Sequence, residues 1–248
     1  MSSRIRSLLF GLLSIYLVVV LIMALFQRSF LFMPSHAPDE SELSAWTRDG
    51  ENLGYCRTVE SPRSVWLVLH GNAGQASRRA YIVRVLPKGD SVYVMEYPGF
   101  GNRPGKPSMA SINAAAEEAY ALLRSMHPGR PVCVLGESIG SGPASHLASM
   151  PVAPDKIVLV VPFDNLASVA QGHYPFLPVR WLLLDRWDNV KALSGYKGRL
   201  EIFGTGGDNV IPVGHARRLA AECPSAVYHE IPGGHNDWSR NIAAIDNP

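Results

Sequence analysis

Residues 131–150, PVCVLGESIGSGPASHLASM, constrain this chain more than any other stretch. Val132, Cys133, Val134 and Leu135 read as a short, fully buried strand, and Ala144, Leu147 and Ala148 belong to a small-residue helical run. Between them lies Gly136-Glu137-Ser138-Ile139-Gly140. A serine at a sharp strand-to-helix turn must adopt a strained backbone conformation. Its neighbours come so close that the positions two before and two after it must be small. Gly136 and Gly140 meet that demand, and the turn lifts the Ser138 hydroxyl above the sheet. The bare pattern also occurs in glycine-rich loops. The flanking strand and helix are what make this one a nucleophile turn.

A serine hydroxyl needs a base, a group to orient that base, and donors for the negative charge that develops. Asp208 lies in GTGGDNVIP after an apolar strand at 200–204, and His235 lies in PGGHND after another at 227–231. Both fall on loops at the carboxyl ends of strands, the rim where open α/β sheets place their sites. Asp164, after a strand at 157–161, competes for the acid role. Asp208 is preferred because its strand immediately precedes that of His235. His173, His215 and His229 compete for the base: His229 sits within a strand, His173 in an insertion, and His215 early in a helix that could brace the Asp208 loop. HGNAG follows the strand at 65–69. It offers Asn72, or alternatively Ala73, as one oxyanion donor, and Ile139 supplies the other.

Residues 8–26 are apolar, about nineteen positions without a charge, enough to span a bilayer as a helix. No small-x-small cleavage pattern follows, so an uncleaved anchor is expected rather than a removed signal peptide. Arg4 and Arg6 before it place the N-terminus in the cytoplasm and the domain outside. Residues 1–28 are therefore read as a membrane anchor, 29–50 as a connector, and 51–248 as the domain. Further strands at 55–59 and 92–95 alternate with helices through Tyr81 and over 110–126, the latter capped by Ser108. That alternation predicts an α/β fold with a mostly parallel central sheet flanked by helices. The net charge of +2, with no basic stripe, gives no case for nucleic acid. Cys56, Cys133 and Cys223 form no metal-binding pattern, and a Cys56–Cys223 bridge stays open. No metal or cofactor is expected.

HGNAG, YPGFGNRPGKPS, GESIG, GTGGDNVIP and GGHND together resemble the α/β-hydrolase superfamily. They are most similar to its single-pass, membrane-anchored serine hydrolases, which include bud-emergence-type hydrolases and protein depalmitoylases. The resemblance covers nearly the whole chain. It implies an α/β-hydrolase fold, Ser138, Asp208 and His235 as triad, and Asn72 and Ile139 as oxyanion donors. The reaction implied is cleavage of an acyl ester or thioester through an acyl-enzyme. A peptidase or amidase with the same triad, and a membrane-tethered binding protein that kept the fold and lost the reaction, are the alternatives. Only residues 236–248 follow His235, so the closing helix must be short. Residues 163–193 occupy the place of a small lid, and Tyr174, Phe176 and Trp181 within it are expected to line an acyl pocket near the bilayer.

Overall fold

The computed structural model describes residues 2–38, 41–242 and 245–246. Positions 39 and 40 of the expected connector, and 243, 244, 247 and 248 of the expected closing segment, lie outside the described residues. Helix α1 (Ser3–Leu31) opens on the Ser2 hydroxyl, which accepts from the Ile5 N–H, and buries none of its 29 residues. At 1.5 Å per residue it is roughly 43 Å long, against a hydrocarbon core of about 30 Å. It is long and apolar enough to cross a membrane.

The chain then forms β1 (Met33–Pro34), β2 (Ser44–Arg48), β3 (Glu51–Arg57), β4 (Val65–Leu69), β5 (Ala73–Gly74), α2 (Ala80–Arg84), β6 (Ser91–Met95) and α3 (Met109–Met126). Next come β7 (Val132–Glu137), α4 (Ser141–His146), β8 (Lys156–Val160), α5 (Leu166–His173), α6 (Val179–Leu182) and α7 (Asn189–Leu193). The last elements are β9 (Arg199–Thr205), α8 (Gly214–Glu222), β10 (Val227–Ile231) and α9 (Trp238–Asn241). Eight strands make one sheet in the order β10-β9-β8-β7-β4-β6-β3-β2, parallel from β10 to β6, with β3 and β2 antiparallel at the edge. β1 and β5 form a separate two-stranded parallel pair.

The central strands are buried along their whole length, because helices cover both faces. Alternate residues therefore serve two cores. Leu67, Leu69, Val132 and Val134 pack with Ile112, Tyr120 and Leu147 of the α3–α4 side. Trp66, Val68, Cys133 and Leu135 pack with Ile82, Val83 and Trp238 of the α2–α9 side. Ser108 and Ser111 make a reciprocal capping box at the start of α3. The closing helix is indeed short, four residues.

One expectation changes and one open question closes. The stretch 29–50 contains a strand of the main sheet, and the boundary drawn after residue 50 falls inside the β2–β3 hairpin. Asp49 and Gly50, at φ 52° and 83°, make its tight turn, while Trp46 buries the single inward position of β2. All three cysteines are free and buried, so Cys56 and Cys223 do not pair.

Candidate active site

Ser138 sits at φ 55°, a left-handed conformation that a side-chain-bearing residue adopts only when its surroundings hold it there. The reason for the flanking glycines is visible around it. A Cβ on Gly136 would lie 2.6 Å from the Gly140 carbonyl oxygen and 2.7 Å from Ala144 Cβ. One on Gly140 would strike the Leu69 carbonyl of β4. β7 thus runs straight into the turn with no room for larger residues.

β9 ends at Thr205 and β10 at Ile231, and the loops after them bring Asp208 and His235 to the same rim. His235 Nε2 lies 2.9 Å from Ser138 Oγ, and His235 Nδ1 lies 2.7 Å from Asp208 Oδ2. Asp208 Oδ1 accepts from the N–H groups of Val210 and Ile211 at 2.8 and 2.7 Å. The aspartate is therefore anchored by its own loop, with one oxygen left for the imidazole. A carboxylate facing Nδ1 requires the proton there and leaves the Nε2 lone pair for the serine hydroxyl. The Asp208 side chain is almost wholly buried and that of His235 nearly so.

The HGNAG loop leaves β4 beside this line. Gly71 packs against Ser138, and the Tyr97 hydroxyl donates to the His70 carbonyl at 2.7 Å, so the YPGFG loop clamps the start of the segment. Asn72 is held from the other side. Its side-chain amide donates to the Leu31 carbonyl at 3.2 Å, and its own carbonyl accepts from Met33 N–H at 3.0 Å. The end of α1 therefore fixes the residue expected to donate to an oxyanion. Ile139 is buried directly after Ser138.

Residues 60–201 match a hydrolase family model described as serine aminopeptidase, S33. The chain belongs to that family. The span carries Ser138 and the HGNAG loop, with Asp208 and His235 beyond it. This serine hydrolase is 34% identical over 229 residues to an uncharacterized protein of Mycobacterium tuberculosis strain H37Rv, covering 85% of this chain and 81% of that one. It is 31% identical over 144 residues to the lysophosphatidylserine lipase ABHD12 of Danio rerio, which is 53% of this chain and 38% of the lipase. Its fold matches a Pyrococcus furiosus esterase with a TM-score of 0.64 at 14% identity, over 85% of this chain and 95% of that one.

One residue of the hydrolase that sequence reasoning missed is Glu137. Its Oε2 accepts from Gly71 N–H at 3.0 Å, and its Oε1 accepts from the Tyr81 hydroxyl at 2.7 Å and Trp238 Nε1–H at 2.8 Å. One buried carboxylate thus joins the serine turn to the HGNAG loop, to α2, and to α9 just after His235. Burial and this carboxylate push the Tyr81 phenol well up, so it remains a donor. Glu137→Gln converts one acceptor oxygen into a donor, which must then oppose an N–H or O–H. The expected result is a fall in kcat of about tenfold to a hundredfold, with KM for a short ester little changed. Equal losses in thermal stability and KM, with kcat intact, would make the residue structural only.

The competing acid and bases are occupied elsewhere. Asp164 lies 2.6 Å from His215 Nδ1 and accepts from Arg218 Nε at 2.7 Å. Burial works against its charge, but these hydrogen bonds win and hold its carboxyl at about 2. His215 therefore braces the Asp164 loop rather than that of Asp208. His173 Nε2 lies 2.7 Å from the Val210 carbonyl, and His229 stacks on Phe203.

The segment expected to line an acyl pocket lies against α1. Gln27 donates to the Leu182 carbonyl and accepts from Leu184 N–H, Arg28 pairs with buried Asp185 at 2.8 Å, and the Tyr16 hydroxyl donates to the Phe176 carbonyl. A cavity of about 120 Å³ opens at this junction, lined by apolar groups that include Met23, Leu31, Ala170, Tyr174 and Leu177. Tyr174 is part of it. Phe176 and Trp181 are not: they face outward, 86% and 84% exposed, beside a helix that is itself apolar and uncovered. Their amphipathic or apolar rings suit a lipid interface better than a pocket wall.

Proposed function

We propose that this hydrolase is an ester- or thioester-cleaving enzyme held at a membrane by α1, with Ser138 as nucleophile. The observation that carries the reading is the unbroken hydrogen-bonded line from Asp208 through His235 to Ser138. Ser138 Oγ attacks the acyl carbonyl as His235 Nε2 takes its proton, and Asp208 holds the imidazolium that forms. The carbonyl oxygen becomes an oxyanion that the Ile139 and Asn72 N–H groups receive. His235 then gives its proton to the departing alcohol or thiol. Water, activated by the same imidazole, releases the acid and restores the serine.

The apolar cavity where α1 meets α5 and α6 supports an acyl chain entering from the bilayer side, with Tyr174 among the groups it would touch. Phe176 and Trp181 would rest at the lipid interface. The same triad can cut an amide, so the leaving group decides between the readings. The test is a screen of p-nitrophenyl and thioester acyl chains from two to sixteen carbons, alongside aminoacyl p-nitroanilides, on the full chain in non-ionic detergent. Acyl esters or thioesters should turn over at least a hundredfold faster than the anilides, with kcat/KM rising with chain length. Anilide turnover dominating the screen would overturn the esterase reading.

A further inference from the structure

A second concave surface adjoins the Ser138 site. It lies between α2 and α9, has a volume of about 520 Å³, and is lined by Arg79, Tyr81, Arg84, Asn236, Ser239 and Arg240. Sequence adjacency and two hydrogen bonds tie it to the rim that holds Ser138. Asn236 directly follows His235, the Arg79 guanidinium donates to the Ala73 carbonyl of the HGNAG loop, and Tyr81 donates to Glu137, the residue before Ser138.

The described residues that line this cleft include three arginines and no carboxylate. Arg84 is neutralised by Glu42, at 2.7 and 3.0 Å. Arg79 and Arg240 make no ion pair with a carboxylate among the described residues; Arg79 donates to the Tyr81 hydroxyl at 3.0 Å and feels the charge of Glu137 behind it, while its buried Nε–H has no hydrogen-bond partner. Glu137, behind Tyr81, already accepts from three donors. Two guanidinium groups with a serine hydroxyl and an asparagine amide make a donor set that suits the oxygens of a phosphate or carboxylate. The contrast with the apolar cavity is direct. That cavity meets the HGNAG segment through Leu31, whose carbonyl takes the Asn72 amide, whereas the arginine cleft meets it through Ala73.

We propose that the cleft between α2 and α9 binds an anionic group, phosphate or carboxylate, carried by the ester substrate of the Ser138 site, with Arg79 and Arg240 as its cationic ligands. The inference rests on the esterase reading and narrows its substrate to acyl esters with an acidic polar end.

The test compares 1-oleoyl-glycerol 3-phosphate with 1-oleoylglycerol, using the full chain in neutral detergent micelles. The wild-type protein should prefer the phosphate ester. In Arg240→Gln and in Arg79→Gln the ratio of the two kcat/KM values should fall by about tenfold, carried mainly by KM. Equal losses on both substrates, or an unchanged ratio in Arg240→Gln, whose side chain is on the surface, would overturn the proposal. A second arm adds an anionic diacyl phospholipid to micelles holding the neutral ester. An arginine-dependent stimulation there would assign the cleft to the membrane surface and overturn the substrate role. A third arm measures binding of the phosphate ester to Ser138→Ala. Binding that disappears with Arg240→Gln, together with a wild-type chain that hydrolyses neither ester, would uphold the cleft and sink the esterase reading. Turnover of neutral esters with no such binding would do the reverse.

Discussion

Ser138→Ala should abolish labelling by a fluorophosphonate probe and cut ester turnover by on the order of 10⁶, the loss seen when a serine nucleophile of this kind is removed. Among the described residues the hydroxyl at this position has one partner, His235 Nε2 at 2.9 Å. Alanine keeps the Cβ and tolerates the left-handed turn no worse than serine does, so the fold and its melting temperature should stay close to those of the parent. That separation between activity and stability is what makes the variant informative. Turnover within tenfold of wild type would remove Ser138 from the reaction.

For Asp208→Asn the expected loss is on the order of 10⁴, arising from geometry rather than from unfolding. An asparagine can keep its oxygen on the Val210 and Ile211 N–H groups, as Asp208 Oδ1 does now. Its amide nitrogen then replaces the oxygen that faces His235 Nδ1. Two donors cannot oppose each other, so the imidazole moves its proton to Nε2. The serine then meets an N–H where it needs a lone pair. The change should appear in kcat at constant stability. Asp164→Asn is the matched control, since that carboxylate serves His215 and Arg218. A larger loss of turnover in Asp164→Asn than in Asp208→Asn would exchange the two assignments.

The meeting of Ser138, Asp208 and His235 was legible because each member is announced locally. An apolar strand precedes Ser138, Asp208 and His235, and glycines beside each mark a sharp exit at the rim. Chain order and the parallel sheet then place them together without any long-range information. Glu137 was not legible. It fills the unconstrained second position of G-x-S-x-G, and its partners lie 66, 56 and 101 residues away in sequence. Edge strand β2 was missed for a different reason. SAWTR buries only Trp46, and a strand with one inward side chain has no alternation to read. The lid aromatics misled because hydrophobicity reports an apolar surrounding without saying whether it is protein or lipid. Trp181 and Phe176 face outward beside α1 instead of into the protein. The role of 29–50 was hidden in the same way, since the backbone pairing of Met33–Pro34 with Ala73–Gly74 leaves no mark in composition.

That two-residue pairing has a practical consequence. The long apolar helix α1 and the peptide that would receive the oxyanion are joined through hydrogen bonds at the last helix residue, Leu31, and at Met33 two residues beyond it. Cutting the chain after residue 33 to gain a soluble protein would delete half of that clasp and free Asn72. Tilting or sliding the helix in bilayers of different thickness would pull on the same peptide. Lipid composition could therefore tune how well the site is assembled, and a truncated preparation would report the chemistry of a loosened one.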